Sequence, residues 1–139
     1  MRVRRLRRTP LSLKNDGRLS VFFVGCGSAF SKRHFQNNVL LVQGTDHVLI
    51  DCGTRTPVAL NRLGVKITDI DSFLITHSHA DHIGGLEEVL LTNRYVAHKK
   101  PEFILSEEYA PILWEQSLRG GCELNERHNG SGLGLEDFA

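Results

Sequence analysis

The chain has 139 residues with a formal net charge of +1, 40% hydrophobic residues and 24% charged ones, values of an ordinary globular domain with no bias toward a membrane or an acidic partner. Its apolar runs are far too short to span a bilayer and its N-terminus lacks the apolar core of a secretory signal, which makes a cytoplasmic location the expectation. The three cysteines, Cys26, Cys52 and Cys122, are odd in number and show no Cys-x-x-Cys spacing, so free thiols are expected rather than a disulfide framework or a thiolate zinc knuckle.

In chain order, Arg2, Arg4, Arg5, Arg7 and Arg8 make a basic arm over residues 1–18, closed by Pro10 and the Asn15-Asp-Gly17 turn. The folded part is expected to start at Leu19 and to run as one domain to residue 139. Ser20–Val24 reads as a short apolar strand followed by a glycine turn. Gly25-Cys-Gly27 has the look of a dinucleotide-binding loop, but Phe30 holds the third glycine position and no helix pattern follows, which excludes that reading. Val39–Val42 and His47–Ile50 are two strands joined by hairpin chemistry at Gly44-Thr-Asp46, apolar enough to be buried on both faces. Thr54–Leu63 has helical spacing with Val58, Leu60 and Leu63 inward, ended by Gly64. Asp71–Ile75 is a further strand, Leu86–Leu91 an amphipathic helix with Glu87 and Glu88 outward, and Glu102–Leu105 a strand after Pro101. Ser106 is an N-cap for a helix to Leu118 that carries Tyr109, Ile112, Leu113 and Trp114, with Gly120-Gly121 as its stop.

Between strand and helix lies the run His77-Ser-His-Ala-Asp-His82. Imidazole nitrogen with carboxylate oxygen suits borderline divalent ions such as zinc, manganese or iron. On extended backbone residues i and i+2 point the same way, so His77 and His79 can pinch one ion, while Asp81 and His82 follow the turn and are better placed for a second. Two divalent ions a few ångströms apart are therefore expected, zinc first and manganese as the alternative. Gly84 and Gly85 give the backbone room to approach an ion or substrate. His98, before Pro101, and His128, in a Gly- and Asn-rich stretch, read as loop residues rather than ligands. Cys52 reads as a small buried hydrophobe rather than a nucleophile.

With Val48-Leu-Ile-Asp-Cys-Gly53 before it and Ile83-Gly-Gly-Leu86 after it, this motif resembles the metallo-β-lactamase-fold hydrolases. The resemblance implies an α/β fold of αββα sandwich type, of which this chain matches the first half. It also implies roles: His77 and His79 on the first metal, Asp81 and His82 on the second, and Asp51 as a buried acid that orients the site. Three further ligands of that family lie well downstream of the motif, and none is placed here. The stretch Phe23-Val-Gly-Cys-Gly-Ser-Ala-Phe30 is similar to the phosphodiesterase branch, which includes the tRNA 3′-processing endonucleases (tRNase Z) and cyclic-nucleotide phosphodiesterases. Lys32 falls where the processing enzymes carry the lysine of a Pro-x-Lys-x-Arg-Asn loop, but Phe30 replaces the proline and His34-Phe35 the Arg-Asn. Trp114–Gly121 looks like a segment of cyclic-nucleotide phosphodiesterases of the anti-Pycsar type, which implies a homodimer and makes Arg119 and Lys32 candidates to meet a phosphate.

The expected function is a phosphodiesterase that hydrolyses cyclic nucleotides with a hydroxide activated by two metals and with Asp81 as general base or orienter. RNA is the alternative substrate. Two readings compete from other classes: another chemistry on the same fold, either a thioester or lactone hydrolase or a mono-iron dioxygenase, and an inactive metal-binding fragment.

Overall fold

A computed structural model of the chain describes residues 10–124 and 131–139. Arg2, Arg4, Arg5, Arg7 and Arg8 of the basic arm and His128 lie outside the described residues. Among those that are described, five strands form one mixed sheet in the order β1-β2-β3-β4-β5: β1 is Ser20–Phe23, β2 Val39–Gln43, β3 Asp46–Ile50, β4 Ser72–Leu74 and β5 Glu102–Ile104. The first three pair antiparallel and β3, β4 and β5 pair parallel. The parallel pairings need crossovers, and the chain supplies helices for them. Between β3 and β4 runs α1 (Thr56–Arg62); between β4 and β5 run α2 (Ala80–Ile83) and α3 (Leu86–Thr92); after β5 come α4 (Tyr109–Leu113) and α5 (Arg119–Cys122).

The β2–β3 hairpin turns over two residues, with Gln43 opposite Asp46 and Gly44 at φ 63°, a backbone conformation that glycine adopts without a Cβ clash. Its register puts Phe22, Leu40 and Leu49 on one face, continued by Phe73 and Phe103. That face is the core: Leu40, Leu49 and Phe73 are fully buried, and Leu60, Leu86, Val89, Leu90 and Leu113 close over them from the helices. Burying each such side chain is worth roughly 1.5–3 kcal/mol. Phe73, fully buried and edge-on to Phe103 with ring centroids 5.9 Å apart, sits on the middle of the parallel half.

The opposite face carries Val21, Phe23, Leu41, Val48, Ile50 and Ile104, none of them buried. The expected burial of β2 and β3 on both faces is thus met on one, although the sequence writes an apolar residue on each.

Other expectations shift locally. Val58 is 52% exposed, because Thr56, Ala59, Leu60 and Leu63 follow the helical spacing that faces the core and Val58 falls on the other side of the short helix. Gly120 and Gly121 do not stop the last helix. The chain passes from α4 through a π-helical turn, Trp114–Leu118, into α5, which contains both glycines. A Cβ on Gly121 would lie 2.3 Å from Glu87 Oε2, the tip of a flexible side chain on α3. The folded part also begins before Leu19: the Leu11 and Asn15 amides donate to the Leu63 and Gly44 carbonyls, and Asn15 Oδ1 accepts from the Gly17 and Gly44 amides.

Candidate metal centre

The motif leaves the end of β4 and bends into α2, and Asp51 at the end of β3 lies beneath it. Parallel pairing brings these strand ends side by side, with the Asp51 amide donating to the Leu74 carbonyl at 2.8 Å. Asp51 is buried and holds φ 62°, in the left-handed region that costs a non-glycine residue about 1 kcal/mol. Its side chain offsets that cost. Oδ1 accepts the Thr76 amide at 2.9 Å, Thr76 Oγ1 lies 2.8 Å from Oδ2, and His82 Nδ1 lies 2.6 Å from Oδ2. The Thr76 and His82 contacts compensate the buried carboxylate and fix the ring of His82.

His77 and His79 meet as their i, i+2 spacing requires, His77 Nε2 standing 2.9 Å from His79 Nδ1. His82 packs beside His77, ring centroids 4.0 Å apart, and its Nε2 lies 3.4 Å from Asp81 Oδ2. The four motif side chains and Asp51 thus come together in two pairs and a support. Two nitrogens bound to one tetrahedral zinc stand about 3.3 Å apart, given metal–nitrogen distances of about 2.0–2.1 Å, so the His77–His79 pair is within a few tenths of an ångström of that spacing. With its Nδ1 turned to Asp51, His82 directs Nε2 toward the Asp81 side, the tautomer a metal-binding imidazole needs. Each pair fits the first two ligands of an ion. Among the described residues no group of three or more His, Cys, Asp or Glu gathers into one metal-holding set.

The loop under the motif is pinned by backbone contacts. The Cys52 amide donates to the His82 carbonyl at 2.7 Å, the Thr54 amide to the Ala80 carbonyl at 3.2 Å, and the Gly85 amide to the Cys52 carbonyl at 2.8 Å. A Cβ on Gly53 would lie 2.2 Å from the Asp81 carbonyl oxygen. The room beside Gly84 and Gly85 is filled the same way, by Thr54 and by Cys52 and Gly53, so those glycines serve packing of the chain on itself rather than approach of a ligand. Cys52 is fully buried, and burial together with Glu88 and Asp51 pushes its thiol far up, which keeps it protonated and un-nucleophilic.

Three supports were not found in the sequence. Thr76 bridges the Asp51 carboxylate to the motif. Asn38 accepts from the Gly53 amide and the Thr56 hydroxyl and donates to the Asp81 carbonyl. Tyr109 OH, from α4, lies 2.6 Å from Ser78 Oγ inside the motif. Threonine after a strand is a weak signal, and the other two act across 15 to 43 residues of sequence, where no spacing rule reaches.

Of the candidate phosphate contacts, Lys32 is exposed on the loop after β1. Arg119 is engaged within its own helical segment, its Nη1 2.6 Å from Glu115 Oε2 and its Nε 2.7 Å from Glu123 Oε2, and these carboxylates raise its pKa further. His98 is exposed on the loop before β5 and takes φ 53°.

A family model described as anti-Pycsar protein Apyc1 matches residues 19–139. The chain belongs to the anti-Pycsar Apyc1 family. It is 43% identical over 103 residues to the Apyc1 protein of Paenibacillus sp. (strain J14), covering 74% of this chain and 42% of that one. With the Apyc1 protein of Bacillus phage vB_BsuM-Goe3 it shares 45% identity over 118 residues, covering 83% and 44%. The chain therefore spans less than half the length of these curated relatives. Among solved structures, the short form of human tRNase Z (ELAC1) superposes with a TM-score of 0.55 and 29% identity over 69% of this chain and 38% of that one. YhfI of Bacillus subtilis, a metallo-β-lactamase-fold protein, superposes with a TM-score of 0.57 and 20% identity over 72% and 43%. The described sheet and its helices are thus part of a metallo-β-lactamase fold, as the motif implied.

Proposed function

We propose that the protein is a metal-dependent phosphodiesterase acting on cyclic nucleotides, with His77 and His79 on one divalent ion and Asp81 and His82 on a second, zinc or alternatively manganese. The observation that carries this reading is the paired convergence of the motif over a buried carboxylate: His77 Nε2 and His79 Nδ1 at 2.9 Å, His82 Nε2 and Asp81 Oδ2 at 3.4 Å, with Asp51 on His82 Nδ1. Membership of a family described as anti-Pycsar favours a cyclic nucleotide over other phosphodiesters.

When bound, such a pair of ions lowers the pKa of water and neutralises charge on the phosphoryl oxygens. In this reading Asp81 takes the proton of the attacking water and holds its oxygen toward phosphorus. The new P–O bond forms as the bond to the 3′-oxygen breaks, the departing 3′-oxygen takes a proton from solvent while Asp81 keeps the one from the attacking water, and the product is a nucleoside 5′-monophosphate. Asp51, on His82 Nδ1, would leave the Nε2 lone pair of His82 free to hold an ion. Tyr109 steadies Ser78 between the two histidines of the first pair. The reading includes a homodimer and a cytoplasmic site of action. Among the described residues no helix is long and apolar enough to cross a membrane.

The test is product analysis after incubation with zinc or manganese against cyclic purine and pyrimidine nucleotides, a tRNA precursor, a thioester and a lactone. Opening of a cyclic phosphate, lost with chelator and in Asp81→Ala, is the expected result. Cleavage of the thioester or lactone with every phosphodiester intact would overturn it, and cleavage of the tRNA precursor alone would move the substrate to RNA. Metal binding without any turnover would leave the chain an inactive metal-binding fragment.

A further inference from the structure

Outside the motif, the charge of this nearly neutral chain is unevenly laid out. Residues 17–45 contain Arg18, Lys32 and Arg33 and residues 52–68 contain Arg55, Arg62 and Lys66, with no Asp or Glu in either stretch. The fold packs the two stretches together. Arg55 Nη1 donates to the Ser31 carbonyl at 3.3 Å, its amide donates to Gln36 Oε1 at 3.1 Å, and the guanidinium carbons of Arg55 and Arg62 lie 4.9 and 5.1 Å from the centre of the same Phe35 ring. Lys32, Arg33 and Arg62 have no ion pair among the described residues. Phe30, in the same loop, is 87% exposed, the most open large apolar side chain described.

We infer that the loop of residues 28–36 and the exposed side of α1 form a docking surface for single-stranded nucleic acid, next to the metal-ligand motif but independent of metal. Neighbouring cationic and aromatic side chains of this kind track a phosphate chain while bases stack on the open ring. The guanidinium carbons of Arg55 and Arg62 both stand at the Phe35 ring, 4.9 and 5.1 Å from its centre, and with Lys32 and Arg33 exposed in the adjoining loop they present more cations than the single phosphate of a mononucleotide would meet. An acidic peptide would use the cations and leave Phe30 in water, and a duplex would hide the base faces that Phe30 can stack on. The surface adjoins the motif because Arg55 directly follows Thr54, which donates to the Ala80 carbonyl.

The experiment is fluorescence anisotropy of a labelled single-stranded oligouridylate titrated with the full chain in EDTA over a series of KCl concentrations, which separates it from any outcome at the metal site. The expected result is binding whose logarithmic salt slope becomes shallower by about 1.4 in Arg33→Glu/Arg62→Glu, as two lost phosphate contacts predict for a single strand. Affinity in that variant falls at least roughly tenfold at low salt. Phe30→Ala is expected to weaken binding by roughly fivefold to a hundredfold with the slope unchanged, the loss of one stacked base. Circular dichroism checks that each variant is folded. Binding abolished by Arg4→Glu/Arg7→Glu in the basic arm and untouched by the loop variants would overturn the inference, as would absence of binding by the folded wild type. Inorganic polyphosphate competing equally well against wild type and Phe30→Ala, with oligouridylate affinity insensitive to Phe30, would overturn the nucleic-acid assignment in favour of a general polyanion surface.

Discussion

At Asp51 one side chain meets three demands: it occupies a left-handed backbone position, it is buried, and its oxygens accept from Thr76 and lie on His82 Nδ1. Asp51→Asn keeps the size but replaces one acceptor oxygen with a donor that faces the hydroxyl or the imidazole. The expected outcome is a 10- to 100-fold loss of zinc affinity, the usual range for removing such an outer partner, read by competition with a chromogenic chelator. The thiols differ by the same logic of surroundings. Cys26 is exposed, whereas burial pushes Cys52 far up and burial with Glu87 pushes Cys122 up to about 11. Iodoacetamide near pH 8 is therefore expected to label one thiol of the native protein and all three only after denaturation, as counted by mass spectrometry.

Asp71 couples charge to strand pairing. It is held below the usual carboxylate range first by the hydrogen bond from Lys99 and then by the charges of Lys99 and His47, while its carbonyl accepts the Glu102 amide at the start of β5. A depressed carboxylate adds stability above its unfolded pKa of about 3.9, and that stability is lost as pH falls through the lower folded value. Asp71→Asn should therefore be less stable than wild type at pH 7, by under about 1 kcal/mol for so exposed a pair, and the gap should close toward pH 2 in urea titrations.

Among the elements, the segment from β3 through α3 holds the site by close packing rather than by side-chain bulk. Gly53→Ala would drive a Cβ into the Asp81 carbonyl, backbone against backbone with nothing flexible to yield. A loss of about 1–3 kcal/mol in thermal or urea unfolding is expected, accompanied by weaker metal binding, since Asp81 must move. Phe73→Ala, in the centre of the sheet, should lose about 3–5 kcal/mol without touching the motif.

Much of this layout is legible in the sequence. The strands, the hairpin at Gly44 and the motif between β4 and α2 follow from local periodicity, turn chemistry and the density of histidine and aspartate. The unread features depend on position along a short helix or on distance in sequence. Val58 faces outward, and a seven-residue helix leaves little periodicity to fix its phase. Gly120-Gly121 has the composition of a stop, yet the chain continues helically through both residues to Cys122. Asn38 and Tyr109 belong to the site through contacts that only the fold creates.

For the molecule as a whole, one sheet face packs on helices and the other, among the described residues, shows exposed apolar side chains from Val21 and Phe23, 54% and 61% exposed, across to Ile104 at 39%. A patch of this kind is an interaction surface or an aggregation liability. Val21→Lys/Phe23→Lys is expected to lower the fluorescence of a dye that binds exposed apolar surface while leaving the melting temperature within a few degrees of wild type. That apolar face also explains why β2 and β3 read as doubly buried: their sequence is that of inner strands, and the described residues supply a cover for one side only.

The most direct measurement of the site is the number of zinc ions bound per chain at equilibrium, by dialysis and metal analysis, in the wild type, Asp81→Ala and His77→Ala/His79→Ala. Two ions in the wild type and one in each variant are predicted. The same number in wild type and Asp81→Ala would contradict the two-ion site.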